Sequence, residues 1–293
     1  MGCFDFFHSK ETELVLPPCQ EEFEYRARQS KVILKTLVIN VLALIIIISL
    51  WQLAATFVIH ARGVSFPTPL ETFQRLGDLF SGTPLYGKTI GAHLTSSLIR
   101  WGIGYGLAVA IGLMMGMVLG ASRSSHDIGM PAIYVLQLIP GLAWLPIALL
   151  IFGLGETATI FMIFMTALPP VIINTTGGIM SVPKIYTNAA EMMGLRRGEI
   201  FFKVMIPASM ISITNGFRIG FANGWRVLIA AEMIVGVSVG LGYSLIQARW
   251  SLDFEAALAC IVIICFIGLI IEKVIFTVIE KKVMEQLGLS KER

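Results

Sequence analysis

Arg218, Arg226 and Glu232 stand inside one otherwise apolar stretch of the chain. Ionisable groups in such a setting are costly and mark either a conduit for charge or an internal ion pair. Arg218, Trp225 and Glu232 recur every seven residues, so on a helix they share a face with Asn215, Ala222 and Ile229, while Arg226 points well away from it. At about 1.5 Å of rise per residue, Arg218 and Glu232 stand roughly 21 Å apart and cannot pair along one helix. Each must find its partner on another helix or on a second subunit. Two chemistries remain open for the arginines: attraction of an anion, or a structural ion pair or carbonyl-bound guanidinium. For Glu232 the structural role is the expectation. Gln137, Trp144, Asn174 and Thr175 add hydrogen-bonding capacity nearby, and Asn and Thr serve equally well as interhelical glue.

Other constellations fail on context. Gly82-Thr83-Pro84-Leu85-Tyr86-Gly87-Lys88-Thr89 matches the spacing of a phosphate-cradling loop. Such a loop follows a buried strand and opens a helix in a parallel sheet, whereas this one follows the polar Glu71 to Asp78 stretch, so a plain loop is expected. His8, His60, His93 and His126 are scattered, with no His-Glu-x-x-His helix and no Gly-x-Ser-x-Gly elbow. Cys3, Cys19, Cys260 and Cys265 form neither a secreted disulfide framework nor a metal spacing. No catalytic residue and no metal site is therefore expected. Met1-Gly2-Cys3 resembles an acylation signal, but Phe6 stands where Ser or Thr is required.

The elements that must position the charged residues are membrane spans. Of the 293 residues, 56% are hydrophobic and 14% charged, and the mean hydropathy is +0.79; soluble domains carry about 25% charged residues. The net charge of +3 comes without a basic tract, which argues against nucleic acid. A bilayer core needs about 20 apolar residues in a helix. Runs of that length occupy residues 36–59, 93–120, 128–155, 157–182, 207–237 and 256–279. The second is rich in glycine, which lets helix backbones approach closely. Pro131, Pro140 and Pro146 must kink or break the third run, and Pro169-Pro170 are expected to break the fourth, the alternative for both being a proline kink filled by a neighbouring helix; broken backbone is tolerated only beside protein or a wet cavity. These two runs are the best candidates for lining a pathway.

Six spans put both termini on one side. The segments assigned outside hold only Arg62, Arg75, Lys88 and Arg249, while the remaining cations, apart from Arg100, Arg218 and Arg226 within spans, lie inside. The positive-inside rule then places both termini in the cytoplasm. Residues 1–35 read as a cytoplasmic N-terminal segment, 36–280 as the membrane domain and 281–293 as a cytoplasmic tail.

Between the fourth and fifth spans, Asn188-Ala189-Ala190-Glu191-Met192-Met193-Gly194 leads to Val204-Met205-Ile206-Pro207. It reads as a short amphipathic helix with Ala189, Ala190, Met193, Phe201 and Val204 on its apolar side, then a turn at Gly194 and a second helix. Such a projecting element suits docking to a soluble partner or to lipid headgroups. The segment 181–207 resembles the EAA loop of ATP-binding-cassette importer permeases: Ala189-Ala190, Gly194, Val204, Ile206 and Pro207 fall in register, with Asn188 in place of the usual glutamate. Phe66-Pro67-Thr68-Pro69, Gly153-Leu154-Gly155-Glu156, Ala230-Ala231-Glu232-Met233 and Gly240-Leu241-Gly242-Tyr243 are similar to blocks of the nitrate, sulfonate, taurine and bicarbonate branch.

The resemblance implies an all-α type I importer permease of six transmembrane helices, with Ala189, Ala190, Glu191, Gly194 and Pro207 coupling it to an ATPase. It implies a multi-pass protein of the prokaryotic inner membrane, in contact with lipid and lacking catalytic or cofactor chemistry of its own. The partners implied are a second permease subunit (the same chain or a different one), two cytoplasmic ATPase subunits that bind ATP and Mg, and an external solute-binding protein. A small anion is the expected cargo; a heterocyclic vitamin precursor, or a secondary transporter independent of ATP, is the alternative. Arg218, Trp225, Arg226, Glu232, Gln137, Trp144 and Asn174 are the candidate pathway residues.

Overall fold

The computed structural model describes the backbone of residues 18–63 and 65–286. The acylation-like opening and the tail beyond residue 286 lie outside the described residues. The chain divides into two units, residues 1–69 and 70–293. The first is built on α1 (Pro18–Arg62), whose part from Lys35 to Arg62 has a mean hydropathy of 2.5 and is long enough to cross a bilayer. The boundary expected at residue 35 is no break in the backbone. Glu, Gln, Arg and Lys crowd the preceding stretch and are good helix formers, so the helix runs straight through. At its end Gly63, at φ +63°, returns its N–H to the Ile59 carbonyl.

In the second unit, α2 (Pro69–Phe80) precedes a three-helix core of α3 (Ile90–Ala121), α6 (Glu156–Met180) and α9 (Ile206–Ile234), with α6 in the middle. Glycines explain the closeness. Gly104, Gly112, Gly116 and Gly120 of α3 face Ile163, Val171, Thr175 and Ile179 of α6, and a Cβ added at Gly116 would lie 2.5 Å from that of Thr175. On the other side Gly216 of α9 meets Asn174. With no aqueous hydrophobic drive inside a bilayer, such backbone contact supplies the packing energy.

The third run breaks as expected. Helix α4 (Arg123–Leu138) ends at Ile139-Pro140, a 3-10 turn follows at Gly141–Trp144, and α5 (Leu145–Phe152) leaves at 99°. Pro140 causes the break, because the residue before a proline is pushed out of the helical region and Ile139 takes φ −75°, ψ 117°. Pro131 is absorbed inside α4, and Pro146 sits in the first turn of α5, where no N–H is needed. The fourth run does not break: α6 continues through Pro169-Pro170, correcting the expectation. Both prolines are buried in the middle helix, so protein rather than lipid covers the backbone they disturb; the Asn174 side chain donates to the Pro170 carbonyl at 2.8 Å.

A short helix α7 (Lys184–Met192), one turn of α8 (Arg197–Ile200) and a π-helical turn (Phe201–Met205) lead into α9. After α9 come α10 (Leu241–Trp250) and α11 (Phe254–Ile270), which runs through a second π turn (Ile271–Phe276) into α12 (Thr277–Gln286). Among the described residues, five helices are long and apolar enough to cross a bilayer, or six if the bent α4–α5 pair counts as one span. The phosphate-loop lookalike at 82–89 follows helix α2 and is a turn closed by an antiparallel bridge between Leu85 and Lys88.

Candidate functional site

Three groups of residues are candidates for function, spread along α9, which at about 1.5 Å per residue is roughly 43 Å long. At its first end lies the α7–α8 segment. Gly194 takes φ +82° and donates its N–H to the Glu191 carbonyl at 2.9 Å, while Leu195 N–H reaches the Ala190 carbonyl at 3.1 Å. This is a Schellman closure, whose left-handed position favours glycine. The Glu199 carboxylate accepts the Arg196 backbone N–H at 3.0 Å and the Lys203 ammonium at 2.9 Å, opening α8. Pro207 sits in the first turn of α9. Ala190 is buried, but Ala189, Glu191 and Met193 are exposed, so the expected single apolar side is divided between inward and outward faces. Ile185, Tyr186, Met192, Met193 and Phe202 are left exposed, forming an apolar surface element that fits a protein partner.

At the other end of α9, Glu232 is buried in a polar cluster. Its carboxylate accepts from Ser97 at 2.8 and 2.9 Å, from the Arg100 guanidinium at 2.6 Å and from the Gly242 N–H at 2.9 Å. Arg100 also donates to Ser96, to Glu156 at 3.0 Å and to the Val239 carbonyl at 2.7 Å. A Cβ at Gly240 would stand 2.6 Å from the Glu232 carboxylate, so only glycine lets the 240–242 turn close over it. His93 completes the cluster: its Nδ1 accepts the Gly240 N–H at 3.0 Å, which leaves Nε2–H to donate to the Leu85 carbonyl at 2.9 Å. The arrangement ties α3, the start of α6, α9 and the turn before α10 into one unit. Glu232 is thus ion-paired off its own helix, with Arg100 of α3 as partner.

Arg218 is paired too. Its guanidinium donates to Glu280 of α12 at 2.9 Å and lies 5.9 Å from the centre of the Phe276 ring. Trp225 is buried with Phe221 and Trp101 in the aromatic core. Thus Arg218, Trp225 and Glu232, which share a face by spacing, meet three different environments.

Arg226 faces the break between α4 and α5. There a cavity of about 260 Å³ is lined by Gln137, Pro140, Gly141, Thr166, Asn223 and Arg226, among others. Arg226 is exposed and, among the described residues, has no carboxylate within ion-pair distance. Glycine at 141 is required because a Cβ there would strike Val227 of α9 and stand 2.9 Å from the Thr166 hydroxyl. Trp144 packs beneath with Val227 and Ala231, its buried indole N–H without a partner. Asn174 does not reach the cavity; its amide is committed to Pro170. Of the residues singled out by sequence, the cavity therefore unites Gln137 and Arg226. Asn223 and Thr166 were not singled out, and their places at i−3 from Arg226 and i−3 from Pro169 were the available signals.

Comparison with known proteins gives a consistent picture. Residues 108–285 match the family described as binding-protein-dependent transport system inner membrane component. A nitrate import permease protein of Synechocystis sp. is 31% identical over 238 residues, covering 80% of this chain and 84% of its own. A taurine transport system permease protein of Escherichia coli is 30% identical over 81% of this chain and 85% of its own. A bicarbonate transport system permease protein of Synechococcus elongatus is 32% identical over 70% and 71%. Among solved structures, an inward-facing conformation of the MetNI methionine ABC transporter aligns with a TM-score of 0.55 and 18% identity, over 65% of this chain and 94% of that one, a likeness of fold.

Proposed function

The chain belongs to the family of inner-membrane components of binding-protein-dependent transport systems, the ATP-binding-cassette importer permeases, and from that premise we propose that it forms the membrane path for a small anion driven by a separate ATPase. The observation that carries the coupling role is the α7–α8 segment, with its glycine-closed turn and exposed Ile185, Met192, Met193 and Phe202 at one end of α9. Two cytoplasmic ATPase subunits grip this segment through Ala189, Ala190, Glu191, Gly194 and Pro207. A second permease subunit completes the path, and an external binding protein delivers the solute. The chain itself carries no bond chemistry; ATP and Mg belong to the ATPase. Both termini and the 181–207 loop face the cytoplasm. An anion is favoured as cargo because the relatives named above handle nitrate, taurine and bicarbonate and because the cavity beside α9 carries Arg226.

ATPase stimulation in the copurified complex tests the reading. The expected result is that the ATPase comes down with the tagged permease and that the loaded binding protein raises its turnover. A permease that transports anion with no ATPase bound would overturn the assignment in favour of a secondary transporter.

A further inference from the structure

The second unit places three arginines inside its spans, and their charges are disposed of differently. Arg100 is 2% exposed and neutralised by Glu232 and Glu156. Arg218 is neutralised by Glu280. Arg226 alone, among the described residues of these spans, carries its positive charge into a cavity with no carboxylate on its wall. A guanidinium within a membrane span is costly unless an anion or water meets it.

The rest of the wall agrees with a negative occupant. Gln137 and Asn223 present amide groups whose N–H donors suit an anion, while the Thr166 hydroxyl spends its own hydrogen on the Met162 carbonyl at 2.8 Å and offers an anion no donor. The volume, about 260 Å³, lies below the roughly 300–1,000 Å³ of sites for drug-sized ligands. That is room for an ion of a few heavy atoms with part of its hydration. The cavity also sits where a main span turns by 99°, the one place among the described spans where the backbone of a crossing is interrupted.

We infer that the cavity at the α4–α5 break is the binding point for the transported oxyanion, with Arg226 as the cationic contact and the amides of Gln137 and Asn223 as its neutral walls. This rests on the permease reading for the word transported, but the anion site itself stands on the charge accounting. Arg218, which by sequence had an equal claim, already has its charge met by Glu280.

The test uses the full chain in permeabilised membranes, with Cys3, Cys19, Cys260 and Cys265 replaced by alanine and a single probe cysteine placed by Asn223→Cys or, on the facing wall, Gln137→Cys. Reaction with anionic 2-sulfonatoethyl methanethiosulfonate is compared with its cationic trimethylammonium counterpart. After correction for the reagents' rates on a free thiol, the anionic reagent should win by about tenfold, as a cleft of one sign enriches its counter-ions. Arg226→Gln should bring the ratio near one, and Arg226→Lys should keep part of it. Sodium nitrate should slow labelling several-fold in the native Arg226 background and leave Arg226→Gln unaffected.

Unchanged reagent preference in Arg226→Gln overturns the site. If the Arg226 variants do not fold, the Gln137→Cys chain decides alone, and absence of nitrate protection there overturns the proposal. In reconstituted vesicles, protection by phosphatidylglycerol without nitrate, and none by nitrate in phosphatidylcholine, would assign the cavity to a lipid headgroup and also overturn it. Because labelling needs no ATPase, an importer that fails the ATPase test can still pass this one, and the two failures are separable.

Discussion

Glu232 and Arg100 illustrate how a buried charge in a membrane protein is made tolerable. The carboxylate is met by one guanidinium, one hydroxyl and one backbone N–H, and Arg100 spreads its remaining donors over Ser96, Glu156 and Val239. Breaking a buried pair from one side costs on the order of 3–5 kcal/mol, because the other charge is stranded. Arg100→Met should therefore be the more damaging single change, leaving the buried Glu232 carboxylate with only Ser97 and the Gly242 N–H. Glu232→Gln should cost less, since Arg100 keeps Glu156 and a carbonyl. The double variant should recover part of the loss, and heat-induced loss of monodisperse protein in detergent measures all three. Seven-residue spacing was enough to see that Glu232 is buried and needs a partner off its own helix. The partner itself was not legible, because it stands 132 residues away and only the packing of α3 on α9 selects it.

Helices and their interruptions were legible where a local rule decides them. Ile139-Pro140-Gly141 breaks its run because the proline constrains the residue before it, and Gly194 closes α7 because the turn is left-handed. Pro169-Pro170 reads as the same kind of break in sequence but is overruled by burial between two helices, which no local rule contains. The α7–α8 segment, proposed above to couple to an ATPase, yields its own prediction. Gly194→Val at φ +82° should cost about 1–2 kcal/mol of local stability. Ala190→Leu should overpack a buried position by about 1–3 kcal/mol. Both variants should insert normally yet lose most anion uptake and ATPase copurification; retention of uptake in either would remove that residue from the coupling surface. Exposed Met192→Ser should weaken copurification with little effect on folding.

At the scale of the molecule, orientation is the property the sequence addresses most directly, through where its cations lie. A cysteine at Lys88 should react with an impermeant maleimide in intact cells, and one at Lys203 only after permeabilisation; the reverse pattern would invert the topology. Within the second unit, the pairing of Arg75 with Asp253 and of Tyr86 with Ser251 puts the 75–88 and 251–253 segments at a common end. Mechanics then follows from α9, a single rod with the docking turn at its foot, Arg226 along its shaft and the Glu232 latch at its head. Tilting a rod of roughly 43 Å by about 5° around its middle carries its ends some 2 Å in opposite directions. Foot and head cannot advance together, so a grip that draws the foot inward must spread the head. One uninterrupted helix thus has the geometry of a seesaw, and moving both ends the same way would require bending it; the π turn at Phe201–Met205 lies just before its foot, where the rod joins the α7–α8 segment.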